Sequence, residues 1–352
     1  MAREVAEALR QRGVELEFVT RRPRGPVPAE GNIRTTYYSE PGLMLPFEIR
    51  KAFQDRVRSF DPHVVHVHQP LPAFFAIPKT FATPVVYSFY SPWAEELKIK
   101  AARWPAWKLR PSVAAYRCIE RRAVRKATSI VVLSETSREE VRHFHGRQSI
   151  KIPGGVNTSQ FKPLAARKNT DGVRLITVRN LVPRMGLQEL IRAMARVPEN
   201  VRLDIGGDGP LRNELQELVK SLRLGNRVTI CGRIPDDRLP GFYASAQWFI
   251  LPTAALEGFG LVILESLASG TPVLGTRVGA IPELLERFNP GWLIDAPTSD
   301  SIAAAICRAI QQPLPDPDEL HRAVASEFDW NVIAARYLDL YEELLATPKW
   351  QG

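Results

Sequence analysis

Two glutamates with seven residues between them, Glu257 and Glu265, bracket the run Gly258-Phe259-Gly260-Leu261-Val262-Ile263-Leu264. A helix starting near Gly260 leaves its first amide groups without intrahelical partners, and such an end favours an anion such as a diphosphate. Gly258 and Gly260 let a ligand approach the backbone closely. Glu265 then lies one to two turns into the helix, where a carboxylate can accept two hydrogen bonds from a vicinal diol, with Glu257 ahead of the helix. The plainer alternative is that Glu257 caps the helix and Glu265 is solvated.

Other clusters of polar residues are weaker signals. Gly206 to Pro210 lacks the lysine and the spacing of a phosphate-binding P-loop and reads as a tight turn into a helix over 211–222. Asp316-Pro317-Asp318 mimics a metal-binding Asp-x-Asp but sits among prolines before a helical pattern, where capping is the simpler role. His66 and His68 share one face of a strand without an evident third ligand, so strand-end hydrogen bonding is favoured over a metal pair. No metal site is expected.

These residues need a scaffold, and the pattern around them supplies one. Short β-branched runs alternate with longer amphipathic segments, as in parallel sheets crossed over by helices. The first series is 14–20, 33–38, 64–68, 85–89 and 129–133; the second is 173–178, 201–205, 228–231, 248–251, 272–275 and 291–294. Between them, 152–172 is rich in Pro, Gly, Asn and Thr and reads as a linker. The expected fold is α/β, two doubly wound Rossmann-like domains facing across a cleft, with ligands at the carboxyl ends of the strands. The expected division is 1–155, a linker 156–172, a second domain 173–327, and a C-terminal helical stretch 328–352 packing back toward the first domain. A doubly wound domain begins with a strand and a glycine-rich turn, yet the chain begins with the helical pattern Ala2 to Arg12, so a truncated first domain lacking its first strand is expected.

A length of 352 residues with 45% hydrophobic and 24% charged residues fits two cores. No run has the apolar length of a membrane span and no secretory signal opens the chain, which points to the cytoplasm. Cys118, Cys231 and Cys307 stand far apart, which disfavours a disulfide framework or a zinc site. Up to residue 155 there are 26 Lys and Arg against 15 Asp and Glu, a net +11, whereas the remainder stands at −2. An anionic partner for the first half follows. Leu97 to Lys126 interleaves Lys98, Lys100, Arg103, Lys108, Arg110 and Arg117 with Trp104, Trp107 and Tyr116, as expected of a helix at an anionic membrane surface. Nucleic acid is not expected, since no DNA- or RNA-binding motif is present.

From Ile152 onward the sequence resembles the retaining GT-B glycosyltransferases of family 4, also called glycosyl transferases group 1. The likeness rests on Pro153-Gly154-Gly155-Val156-Asn157 with Phe161-Lys162-Pro163, on Val178-Arg179-Asn180-Leu181-Val182-Pro183-Arg184-Met185-Gly186, on Gly206-Gly207-Asp208-Gly209-Pro210, on Gly232-Arg233-Ile234-Pro235, and above all on Leu256 to Glu265. It implies a metal-independent transfer of a sugar from a UDP- or GDP-sugar to a hydroxyl of a glycan or lipid-linked acceptor, without a further cofactor; the basic stretch adds a peripheral position at the inner face of the membrane as an expectation. It assigns Glu257 to the sugar, Glu265 to the ribose, the segment Gly258 to Val262 to the diphosphate, and the backbone of Arg233 and Ile234 to the base. Tyr90 and His68 become candidates for the acceptor side.

Three departures qualify that picture. The family's donor loop carries an arginine and a lysine for the diphosphate, where this chain has Asn180 and Met185; Arg179 and Arg184, each one residue away, are the candidate replacements. Loss of one such preorganised donor costs about 3–4 kcal/mol of transition-state stabilisation. Tyr90 stands where the family more often has histidine, and the first strand is missing. A non-catalytic sugar-nucleotide binder or a partner subunit is therefore the alternative reading. A nicotinamide dehydrogenase is disfavoured because no Gly-x-Gly-x-x-Gly follows a strand.

Overall fold

The computed structural model describes residues 1–23, 33–38, 44–102, 104–164 and 172–346. Arg103, residues 165–171 of the expected linker and residues 347–352 lie outside them. The chain divides into two compact units, Met1–Pro153 with Trp330–Gly352, and Gly154–Asp329. Both are α/β with parallel sheets.

In the first unit β1 (Glu17–Arg21) pairs with β2 (Arg34–Tyr38), and a second sheet runs in the order β3 (Val65–Val67), β4 (Val85–Phe89), β5 (Ser129–Val132), β6 (Ile150–Lys151). All five residues of β4 are buried, as in a sheet covered on both faces. Its side chains alternate: Val85, Tyr87 and Phe89 join one core with Ile130 and Val132, whereas Val86 joins Val131 in the other. That second core is closed by Val5, Ala8 and Leu9 of the helix Ala2–Gln11 and by Trp330, Ile333, Tyr337 and Leu340 of the helix Trp330–Ala346.

Local chemistry explains where the elements depart from expectation. The strand expected from Val14 starts instead at Glu17, because Gly13 at φ 85° and the bonds Gly13 N to Arg10 O and Val14 N to Leu9 O draw Val14 into the close of the preceding helix. The aromatic and basic stretch 97–126 is two helices, Trp93–Lys100 and Ala106–Arg125, rather than one. Pro105 disfavours helical backbone at Trp104 and opens the second helix. The two-residue β6 was not expected at all, being too short to leave a period in the sequence.

In the second unit the sheet order is β12 (Leu293–Ile294), β11 (Val273–Thr276), β10 (Trp248–Leu251), β7 (Val173–Val178), β8 (Val201–Gly206), β9 (Val228–Gly232). The strand expected over 291–294 is shortened to Leu293–Ile294 because Pro290–Trp292 forms a 3-10 turn capped by the Asn289 side chain. Chain order reverses between β7 and β10, which makes their carboxyl ends the switch point of a doubly wound sheet. The segment Gly154–Phe161 is packed within this unit: Val156 N donates to Phe328 O at 2.8 Å and Thr158 N to the Asp329 carboxylate at 3.2 Å.

Candidate functional site

The residues leaving β7 and β10 meet at the switch point. Arg179 follows β7 directly, and its amide still bonds Gly206 O at 2.9 Å, extending the β7–β8 ladder by one residue. Its guanidinium donates to Glu257 Oε2 at 2.5 Å and to Thr253 Oγ1 at 3.2 Å. Two of its nitrogens also reach the Met185 sulfur, at 2.8 and 3.2 Å. Only 7% of the Arg179 side chain and 12% of that of Glu257 are exposed, so this is a buried ion pair, whose worth depends on the further hydrogen bonds around it. Thr253, fully buried, supplies one by donating to Glu257 Oε2 at 3.4 Å. Its carbonyl in turn accepts from Thr276 Oγ1 at 2.6 Å.

Met185 reaches Arg179 because the loop turns tightly. Pro183–Met185 is a 3-10 turn ended by Gly186 at φ 69°, where a Cβ would stand 1.8 Å from Pro252 O. Only glycine fits there. Asn180 is exposed, and its carbonyl accepts from Val182 N. Arg184 donates to Leu256 O at 2.6 Å, so it holds the backbone beside Glu257. Leu256 sits at φ 52°, an unfavourable conformation for a branched side chain. Glu257 O accepts from Ala280 N at 2.9 Å, and a Cβ on Gly279 would lie 2.1 Å from that oxygen. The Glu257 peptide is therefore clamped on both sides.

Three residues beyond Glu257 stands Gly260, whose φ is 88°, and the helix Leu261–Ala268 begins behind it. The expected helix start near Gly260 is present, and the Glu257 side chain lies beside it: its Cγ is 3.9 Å from a Cβ built on Gly260. Phe259 is buried, and Gly154 is packed so closely that a Cβ there would stand 2.9 Å from the Phe259 ring and 2.6 Å from Leu261. Glu265, within the helix, accepts from the Tyr243 hydroxyl at 2.7 Å. Burial raises its carboxyl above the usual range, while the Tyr243 hydrogen bond and the Arg179 charge pull it back down. Arg233 is exposed just after β9, and Ile234 leans over Gly206, 2.8 Å from where a Cβ would be. The arrangement offers a cation, a helix N-terminus and two carboxylates in one place, the set needed to hold a sugar diphosphate by charge and by its hydroxyls.

Residues singled out elsewhere have partners of their own. His68 Nδ1 and the Tyr90 hydroxyl share a hydrogen bond of 2.5 Å in the first unit. Burial depresses His68 to about 4, and it raises the Tyr90 hydroxyl. His66 bonds Tyr341 at 2.6 Å and Ser88 at 2.8 Å. Asp316 caps the helix Pro317–Phe328 through the amides of Asp318 and Glu319. Lys98, Lys100 and Arg117 of the basic stretch pair with Glu95 or Glu96, whereas Trp107 is 78% exposed and Lys108 lies 4.2 Å over the Trp104 ring.

Sequence reasoning did not single out Thr253 or Tyr243. Thr253 carried a usable signal, a polar residue two positions beyond a buried strand of a doubly wound sheet. Tyr243 carried none, being one more aromatic on an apolar helix face.

Residues 1–160 match the family described as Glycosyltransferase Family 4, and residues 159–326 the family described as Glycosyl transferases group 1. The chain is similar to a phosphatidylinositol N-acetylglucosaminyltransferase subunit of Arabidopsis thaliana, 32% identical over 222 residues, which are 61% of this chain and 49% of that protein. It thus spans about half the length of that relative, by the same 49%. It is 27% identical over 315 residues to the MMP alpha-(1->4)-mannosyltransferase of Mycolicibacterium hassiacum, covering 85% of this chain and 75% of that one. Sucrose-phosphate synthase from Thermosynechococcus elongatus shares the fold at a TM-score of 0.84 and 24% identity, over 98% of this chain and 92% of the other.

Proposed function

The chain belongs to the GT-B glycosyltransferases of family 4 and group 1, and from that premise we propose that it moves a sugar from a UDP- or GDP-sugar to a hydroxyl of a glycan or lipid-linked acceptor. Transfer proceeds with retention and without a metal ion or further cofactor. The observation that carries this reading is the buried Arg179–Glu257 pair beside the helix start at Gly260, at the switch point of the second unit's sheet.

The chemistry follows from charge. As the anomeric carbon–oxygen bond to the diphosphate breaks, negative charge grows on the leaving group, while the acceptor oxygen bonds the anomeric carbon and passes its proton to the departing diphosphate oxygen. Arg179 and the helix N-terminus supply preorganised positive charge for that step. The amides of Gly260, Leu261 and Val262 receive the diphosphate, with Gly258 and Phe259 shaping the approach. Glu257 contacts the sugar and Glu265 the ribose, while the backbone of Arg233 and Ile234 meets the base. Of the two candidate cations, Arg179 is the better placed, because Arg184 is committed to Leu256 O. Arg184 then acts as a support for Glu257, and Asn180 and Met185 line the loop.

On the first unit, His68 and Tyr90 contact the acceptor. The helix Ala106–Arg125, with Trp107 outward and Lys108 beside Trp104, touches an anionic membrane surface, which suits a lipid-linked acceptor at the inner face of the cytoplasmic membrane. No described helix is long and apolar enough to cross a membrane. The test is a thermal-shift panel of UDP, GDP, ADP and their sugar conjugates, since a ligand at a hundredfold excess over Kd stabilises the folded state by about 2.7 kcal/mol. A shift confined to one nucleotide family identifies the base; no shift with any of them on folded protein overturns the reading.

A further inference from the structure

We propose that Tyr243 is a positioning residue for the ribose contact, holding Glu265 so that one carboxylate oxygen is committed to the protein and the other is left for the nucleotide's diol. The inference rests on the assignment of Glu265 to the ribose and goes beyond it.

Tyr243 lies in the helix Leu239–Ala244 and is fully buried. Its ring is held between Phe161 and Phe249, at centroid distances of 5.9 and 5.5 Å, and its carbonyl accepts from Thr271 Oγ1 at 2.9 Å. Ring and backbone are both fixed, so the position of the hydroxyl is fixed too. That hydroxyl donates to Glu265 Oε2 at 2.7 Å, from a residue 22 positions away on a different helix.

The type of donor matters. A cation in this place would neutralise Glu265 and compete with any neutral ligand. A phenol donates one hydrogen bond, stays uncharged because burial pushes its hydroxyl further up, and leaves the carboxylate its negative charge. A glutamate on a helix rotates about three side-chain bonds, and one bond to a rigid phenol selects among those rotamers before the ligand arrives. Among the described residues no side chain other than Tyr243 donates to Glu265. The remaining oxygen, Oε1, is thus the one available to a ribose hydroxyl.

The experiment measures by calorimetry the affinity of the full chain for UDP and GDP and for their 2′,3′-dideoxy counterparts, in the wild type, Tyr243→Phe, Glu265→Gln and the double variant. Phenylalanine keeps the ring between Phe161 and Phe249, and thermal melting checks that each variant is folded. Tyr243→Phe should weaken the ribonucleotide about tenfold, leave the dideoxy form within about twofold, and add nothing in the Glu265→Gln background. Unchanged ribonucleotide affinity in Tyr243→Phe, alongside a loss in Glu265→Gln, would overturn the positioning role and leave the ribose assignment standing. Equal losses for the ribo and dideoxy forms would also overturn it, because they mark general damage to the pocket. If Glu265→Gln binds like the wild type, the ribose assignment itself fails, and the inference with it.

Discussion

Arg179 and Glu257, 78 residues apart in sequence, are joined by a hydrogen-bonded ion pair of 2.5 Å at the carboxyl ends of β7 and β10. Asn180 and Met185 stand where the resemblance implies an arginine and a lysine, and the neighbouring Arg179 brings its guanidinium to Glu257. It is held there by the Met185 sulfur and Thr253 as well as by the carboxylate. Replacing Arg179 by alanine should lower kcat/KM for the nucleotide sugar by about two to three orders of magnitude. It should also lower stability by about 3 kcal/mol, because Glu257 is left buried without its partner. Steady-state kinetics and chemical denaturation read the two effects separately, and full activity in a folded variant would remove Arg179 from the site.

Glu257→Gln and Glu265→Gln should differ in kind. A group that touches the sugar only as charge develops affects kcat, whereas one that holds the ribose in ground and transition state alike affects KM. Turnover should therefore collapse in Glu257→Gln at little cost in nucleotide affinity, and KM should rise in Glu265→Gln with kcat largely kept. Equal kcat and KM effects in both would merge the two roles.

Restoring the family's residues tests the loop. Asn180 is exposed, so Asn180→Arg should be tolerated and should raise affinity for UDP or GDP. Met185→Lys places an ammonium where the sulfur now lies within 2.8 Å of the Arg179 guanidinium, so on its own it should lower the melting temperature through like-charge repulsion. Combining it with Arg179→Gly should relieve that repulsion. A single Met185→Lys that melts as the wild type would show that the Met185–Arg179 contact is dispensable.

Stability of the first unit should fall across neutral pH because of Glu140. Burial first, then the charges of Glu120 and Glu95, push its carboxyl from 4.5 up to about 7. The folded chain holds a proton that the unfolded chain releases, so the contribution is complete below about 4.5 and is lost as the pH rises through about 7. Glu140→Gln should flatten that decline, by on the order of 1–2 kcal/mol once solvent screening of a partly exposed group is allowed for. Melting curves from pH 5 to 8 decide it, and parallel curves for the two proteins would count against the assignment.

Sedimentation with vesicles addresses the outward face of Ala106–Arg125. Trp107→Ala and Lys108→Glu should each reduce binding to vesicles containing anionic lipid, and added salt should weaken what remains. Binding that ignores both substitutions would move the membrane contact elsewhere.

Much of the scaffold was legible because its signals are local. The runs 85–89, 173–178 and 248–251 match β4, β7 and β10 residue for residue, and β4 and β10 are buried throughout, as strands covered on both faces are. The helix start at Gly260 was legible because a glycine ahead of an apolar run marks it. Misplaced ends had local causes too, at Gly13, Pro105 and Pro290, where turn chemistry overrode periodicity.

By itself the sequence determined the α/β class with parallel sheets, the kinship with GT-B glycosyltransferases and the helix start at Gly260 between Glu257 and Glu265, all of which are written in contiguous residues. Only the tertiary structure decided which of the two neighbouring arginines pairs with Glu257. Arg179 and Arg184 both flank the vacated positions, but one reaches Glu257 and the other Leu256 O. It also decided that Thr253 and Tyr243 belong to the constellation. Those partnerships span 74 and 22 residues: the first exists because the crossover order of the sheet brings β7 beside β10, the second because the helices that precede and follow β10 in the chain pack together, and no local pattern encodes either arrangement.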